Sequence, residues 1–260
     1  MTANYRSAAF RGRLEPRYWW FWHETSDHVP PVFALLSDEE WDVLAQWYAT
    51  TDSGPAGDAN IPCVSFISGM LEANLIPNIV ELGHYEGFST LLLGFTMRRL
   101  GFKHSIFSVD IDKRASDVTS EWVGRAGLSE YVRIVVDTSE SPHLPSMACE
   151  YFNDEIATVF IDSSHQYEHT TRELNLWFER LRPFGLMFLH DVSELAAGFD
   201  VAGSGGVRRA VTEWAAQNGA AYMLLNQDVA PGHQPLVYMD GCGFGLIQKP
   251  GARRVSLPYR

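Results

Sequence analysis

Cysteine is scarce in this chain of 260 residues. Cys63, Cys149 and Cys242 show no metal-type spacing, and an odd number leaves one thiol unpaired in any disulfide scheme. A reduced, cytosolic setting is therefore expected. Long apolar runs are also missing: none could span a bilayer. The opening Met1-Thr2-Ala3-Asn4-Tyr5-Arg6 has no apolar signal core, so secretion is not expected. Basic residues fall short of acidic ones, 20 against 32, and the net charge of -12 argues against nucleic acid as the main partner. The local exception, four arginines between Arg6 and Arg17, reads as a solvated or packed terminus. Repeats and low-complexity tracts are absent, apart from the loop-like stretch at 51–58.

What is present is a sizeable core and a clear alternation. Hydrophobic residues make up 46% of the chain, and the length suits one large domain or a domain with an added cap. Short β-rich runs at 79–81, 106–110, 132–136, 158–162 and 186–190 read as strands. Helical patterns separate them, near 88–100, 113–126, 143–153 and 167–181, and Pro183-Phe184-Gly185 reads as the stop of the last. A further helix over 207–217 and strands near 221–226 and 243–248 follow. Such alternation predicts an α/β fold, a mostly parallel sheet with helices on both faces. Residues 1–75 differ, with an aromatic cluster at Tyr18 to Trp22 and two helical patterns near 38–48 and 63–75. They are expected to form a helical, aromatic-rich cap on a main domain of residues 76–260. The cluster serves either to staple the cap to the sheet or to line an acceptor pocket.

Acidic residues recur where these strands end. Glu81, Asp110, Asp137, Asp162 and Asp191 fall at or just past carboxyl ends, the edge where open α/β sheets bind ligands. One such residue could be a turn or cap residue, but five on one edge would repel each other unless a ligand or cation relieved the cost. After β-like Ile79-Val80-Glu81-Leu82, the loop Gly83-His84-Tyr85-Glu86-Gly87 is not GxGxxG, and the acid before it speaks against a pyrophosphate. An acidic strand end suits a positively charged ligand, such as an amino acid or a sulfonium. Asp110 is placed to accept from ribose hydroxyls, whereas Asp112 reads as a helix cap. His165 and His169, four apart on an expected helix, would share a face. Arg172 and Glu173 read as part of that helix's solvated side, and His143 and His233 carry no chemical signal. The glycine-rich stretch from Gly198 to Gly206 reads either as a surface loop or as a lid over the reaction edge.

Glu81-Leu82-Gly83, Gly87-Phe88-Ser89, Val109-Asp110 and Phe160-Ile161-Asp162-Ser163-Ser164-His165 together resemble class I S-adenosylmethionine-dependent methyltransferases. With Arg182-Pro183-Phe184-Gly185 and Leu189-His190-Asp191, the chain is most similar to the metal-dependent macrocin, mycinamicin and rhamnosyl O-methyltransferases of antibiotic tailoring. Catechol O-methyltransferase shares the outline more distantly. The resemblance spans roughly 76–248 and implies a Rossmann-like seven-stranded fold. By it, Glu81 and Gly83 border the methionine part of S-adenosyl-L-methionine, Ser89 its carboxylate and Asp110 its ribose. Asp137 and Ser139 match the segment beside the adenine. Asp162 and Asp191 match carboxylate ligands of a divalent cation, usually Mg²⁺, and His165 matches a proposed general base.

The implied reaction is methyl transfer to a hydroxyl of a natural product, expected to be a sugar hydroxyl. Such an in-line displacement needs alignment and removal of the acceptor's proton. His190 stands where the relatives usually carry Glu; if it ligates, the site shifts towards Mn²⁺, Fe²⁺ or Zn²⁺. If no metal binds, His165 acts alone. Two alternatives stay open: a phenolic or catechol acceptor, and a cofactor-binding partner or regulator in a hydroxylation and methoxylation pathway that performs no transfer itself. The expected partners are a small-molecule acceptor and further copies of the chain in a homo-oligomer, with neither nucleic acid nor membrane.

Overall fold

The computed structural model describes residues 29–51, 59–232 and 236–251. The aromatic cluster at 18–22, the arginines before it, the 52–58 part of the expected loop and His233 lie outside these. Helix α1 (Pro31–Ala34) and helix α2 (Asp38–Thr51) open the described chain. A capping box starts α2: Glu40 N–H donates to Ser37 Oγ at 3.2 Å, and Ser37 N–H to Glu40 Oε2 at 2.8 Å. Helix α3 (Ile61–Asn74) has proline in its first turn and ends at left-handed Leu75.

Strand and helix then alternate: β1 (Ile79–Leu82), α4 (Phe88–Leu100), β2 (Ile106–Asp110), α5 (Lys113–Arg125), β3 (Val132–Val136), α6 (Leu144–Phe152), β4 (Ile156–Ile161), α7 (Tyr167–Arg180), β5 (Leu181–His190), α8 (Gly206–Asn218), β6 (Ala221–Leu225) and β7 (Phe244–Gln248). The seven strands form one sheet in the order β3-β2-β1-β4-β5-β7-β6. Strands β1 to β5 are parallel neighbours, and β7 runs antiparallel between β5 and β6. The order reverses at β1 and β4, so a crevice opens at the carboxyl ends of those strands.

Buried side chains alternate between two cores, as strand geometry requires. Ile79 packs with α1 to α5 on one face, among Phe33, Trp47, Ile67 and Phe95. Val80 and Leu82 pack on the other with α6 to α8, among Leu144, Trp177 and Val211. The described N-terminal helices thus share a core with the sheet. One expected boundary moves: α7 stops at Arg180 and β5 begins at once, so Pro183-Phe184-Gly185 lies inside the strand, beside a register shift between Ile156 and Thr158.

Candidate active site

Register sets the site. Leu82 is level with Val109 on one side and Ile161 on the other, and Ile161 with Leu189. The residues that follow, Gly83, Asp110, Asp162 and His190, therefore share one edge. There a cavity of about 490 Å³ opens, walled by Gly83, Ser89, Asp110, Ser139, Asp162 and His165 among others. Gly83 is required by close approach: at φ +90° a Cβ would sit 2.0 Å from the Asp162 carbonyl oxygen.

The β1–β2 side is built from hydroxyls. Glu81 is fully buried, and its Oε2 accepts from Thr90 Oγ1 and Ser108 Oγ, each at 2.6 Å. Its Oε1 is buried and, among the described residues, has no hydrogen-bond partner. Burial raises this carboxyl's pKa against the pull of Ser108, Ser89 and Thr90. His84 lies between Ser108 Oγ, 2.8 Å from Nδ1, and Ser116 Oγ, 2.9 Å from Nε2. Burial pushes its pKa down to about 4, against the opposing charge of Asp110, so it is neutral at pH 7. Asp110 Oδ2 accepts from the backbone N–H of His84 and Tyr85, at 3.0 and 2.9 Å, which ties the glycine loop to β2. The loop is gripped from outside by Trp47 Nε1, donating to Glu86 O at 2.7 Å, and by Thr119 Oγ1, donating to Tyr85 O at 2.8 Å.

The β4–β5 side is ionic. His165 Nε2 lies 2.9 Å from Asp191 Oδ2 and 3.7 Å from Asp162 Oδ1. Burial would lower its pKa, but the two carboxylates outweigh burial and push it up to about 10. It therefore holds a proton at neutral pH. Burial likewise works against the ionisation of Asp162 and Asp191, yet the charge of His190, aided by hydrogen bonds from His165 and His190, holds both carboxyls below their ordinary range.

His190, expected as a cation ligand beside Asp162 and Asp191, lies next to both and has carboxylates at each ring nitrogen. Its Nδ1 faces Asp162 Oδ1 at 3.2 Å and Asp191 Oδ2 at 3.4 Å, and its Nε2 faces Asp240 Oδ2 at 3.0 Å. Burial opposes its charge, but these three carboxylates raise its pKa well above normal, so both ring nitrogens act as donors. Among the described residues, Asp162, His165 and Asp191 on the cavity side could hold an ion, their ligand atoms lying within 4.8 Å of one another. A second group, His190, Asp191 and Cys242, meets the same distance. There burial pushes the thiol's pKa up to about 12, and His190 faces carboxylates at both nitrogens.

Other expectations fare unevenly. Asp137 is absent from the cavity wall, because its Oδ1 accepts from Thr138 N–H and Ser141 Oγ at 2.7 Å each and its Oδ2 meets His143 at 3.2 Å. Its neighbour Ser139 is on the wall. Asp112 caps α5 as expected, accepting from Arg114 and Ala115 N–H. His165 precedes α7, at φ 59°, so it shares no helix face with His169. Glu173, expected on a solvated face, is fully buried. The glycine-rich stretch is tied down by Asp200, whose carboxylate accepts from the N–H groups of Ala202, Ser204 and Gly206. Sequence reasoning missed Asp240, whose only outward sign is an Asp-Gly turn before the last strand. It also missed Thr90 and Ser108, which look like ordinary helix and strand residues.

With this geometry in view, residues 80–192 match the family model described as a methyltransferase domain. No curated protein matches the chain by sequence. The O-methyltransferase from Bacillus cereus in complex with SAH is similar at a TM-score of 0.63 and 18% identity, covering 88% of this chain and 99% of that one. A cofactor-bound protein from MTB gives 0.65 and 20%, over 86% and 99%. The O-methyltransferase TomG from Streptomyces achromogenes, involved in tomaymycin synthesis and bound to SAM, gives 0.60 and 20%, over 84% and 93%. The chain thus has the Rossmann-like methyltransferase fold, with a seven-stranded, mostly parallel sheet between helices.

Proposed function

We propose that the chain is an S-adenosylmethionine-dependent O-methyltransferase acting on a hydroxyl, in the first reading a sugar hydroxyl, of a natural product. The observation that carries this is the cavity at the β1–β4 switch point, walled on one side by acceptors and on the other by an acid–imidazole cluster. Glu81 Oε1, buried and without a partner among the described residues, supports a berth for the cofactor's cationic methionine end beside Gly83. Ser89, in the first turn of α4, suits the carboxylate, since helix N-termini favour anions. Asp110 and Ser139 offer acceptors to the ribose and adenine. Asp137 has both carboxylate oxygens engaged by Thr138, Ser141 and His143 and offers the cofactor less.

The transfer is an in-line displacement in which the acceptor oxygen takes the methyl group from sulfur and loses its proton. Asp162, His165 and Asp191 fit a divalent cation by distance and chemistry, and two carboxylates with an imidazole suit Mn²⁺ or Fe²⁺ better than Mg²⁺. Such an ion, when bound, would make the acceptor hydroxyl more acidic. His190 lies behind the carboxylates and orients them. In the first reading His165, a third exposed towards the cavity, takes the acceptor's proton after giving up its own, which a cation held by Asp162 and Asp191 would promote by offsetting the charge that keeps the imidazole protonated. In the second, favoured by its place in the ligand group, His165 is itself a ligand. Mn²⁺ titration of His165→Ala separates the two: retained affinity supports the base, and lost affinity the ligand.

The function is tested by calorimetric titration with S-adenosylmethionine and S-adenosylhomocysteine. Dissociation constants in the micromolar range are expected, and binding of neither compound would overturn the assignment. A panel of glycosides and catechols then tests the acceptor. Binding without transfer to any of them would move the reading to a cofactor-binding partner.

A further inference from the structure

The wall of the cavity formed by Thr138, Ser139 and Glu140 is held by one stripe of α7, at positions 169, 173 and 177. Trp177 Nε1 donates to Ser139 O at 2.8 Å. Glu173, fully buried, places Oε1 where Ser139 Oγ donates at 2.5 Å and Ser163 Oγ at 2.7 Å. His169 Nε2 lies 2.8 Å from Ser139 Oγ and 3.2 Å from Glu173 Oε1, while its Nδ1 faces Glu140 Oε2 at 3.4 Å. Ser139, Ser163 and His169 all line the cavity, and Glu173 stands behind them.

Each serine has a single hydroxyl proton, and both are committed to Glu173. His169 Nε2 must then carry a hydrogen, since neither neighbour has one to give it. What remains towards the cavity on both hydroxyls is lone pairs alone. At these two hydroxyls the wall accepts hydrogen bonds and offers none, which favours a ligand edge that presents N–H or O–H groups to them over one that presents a carbonyl.

We infer that Glu173 is a positioning residue that fixes Ser139 and Ser163 as acceptors, so that the cavity selects a ligand with a donor edge, such as an aminopurine nucleoside. The inference rests on the proposed cofactor reading, in which Ser139 borders the adenine. Its chemistry is particular: the carboxyl group touches no ligand, yet it decides which way two hydroxyls point.

The test is calorimetry on the full chain with S-adenosylhomocysteine and with its inosine counterpart, in which a carbonyl replaces the exocyclic amine. Wild type is expected to prefer the adenine form by about tenfold or more. Glu173→Leu frees both hydroxyls to turn outward, and the preference should fall to about threefold or less. Glu173→Gln keeps an oxygen acceptor and should retain most of it. A merely structural role would weaken both ligands alike and leave their ratio intact. Ser139→Ala should show the same loss of preference, and the double variant no further loss; should Glu173→Leu not fold, Glu173→Met, an unbranched apolar side chain of closer length, takes its place. An unchanged ratio in these variants overturns the inference and leaves the proposed function standing. Wild type that binds neither ligand overturns both.

Discussion

His84 and His190 sit in the same sheet edge, nearly equally buried, and their proton affinities move in opposite directions. His84 has serine hydroxyls at both nitrogens, so burial dominates and its pKa drops to about 4. His190 has carboxylates at both nitrogens, and its pKa rises well above normal despite burial. Burial alone thus fixes neither state; the partners do. The difference divides the cavity edge into two halves. Around β1 and β2 it is held by hydroxyls and backbone N–H groups, which suits reversible binding of a nucleoside. Around β4, β5 and the turn before β7 it is held by charge, which suits handling a proton or a cation.

The largest effect should come from breaking the ionic half. Asp240 is fully buried, and its Oδ1 also accepts from Asn60 Nδ2 at 2.7 Å and Cys242 N–H at 3.0 Å. Asp240→Ala leaves the His190 charge uncompensated on one side. Removing one partner of a buried ion pair costs about 3–5 kcal/mol, a fall in Tm of roughly 10 °C at this chain length. Thermal unfolding checks it. A loss of under about 2 °C would mean that the His190 charge is compensated without Asp240, and the contrast between the halves would break.

The hydroxyl half should show itself in acid. His84 titrates near its ordinary value in the unfolded chain and at about 4 when folded. Between those values the unfolded chain binds the extra proton, so stability is full above pH 6.5 and is lost as pH falls towards 4. The loss is on the order of 3 kcal/mol. His84→Gln should be less stable at pH 7 but should lose less on acidification from pH 7 to 4.5. Parallel curves of Tm against pH for the two proteins would show that His84 is not neutral in the fold.

Much of this architecture is written locally in the sequence. Strands β1 to β4 are short runs rich in β-branched and aromatic residues, and β1, β2, β4 and β5 end at or beside an acid. Those features place the sheet, the edge and residues such as Gly83, Asp110, Asp162 and Asp191. What local pattern cannot give is the partner. Glu173 sits four residues after His169 on a helix with polar neighbours, and its burial comes from contact with loops some thirty and ten residues earlier. His190 is turned by Asp240, fifty residues later. Asp137 matches a cofactor position by sequence, yet a turn and His143 claim both its oxygens. His165 was expected on a helix but precedes it, held at a positive φ. Residue type at a strand end is thus legible, whereas orientation and charge state depend on contacts distant in sequence.

The smallest effect sharpens the same contrast by moving charge to the surface. Lys113 Nζ lies 2.7 Å from Asp117 Oδ2, one turn along α5, closer than any contact His190 makes with its carboxylates. Both side chains are largely exposed, at 75% and 65%. Water and salt screen such a pair, and ordering two mobile side chains offsets much of its attraction. Lys113→Ala should therefore shift Tm by less than about 2 °C, and by less still in 0.5 M salt. A shift approaching that of Asp240→Ala would mean that short distance, rather than burial among fixed partners, gives the ionic half its strength.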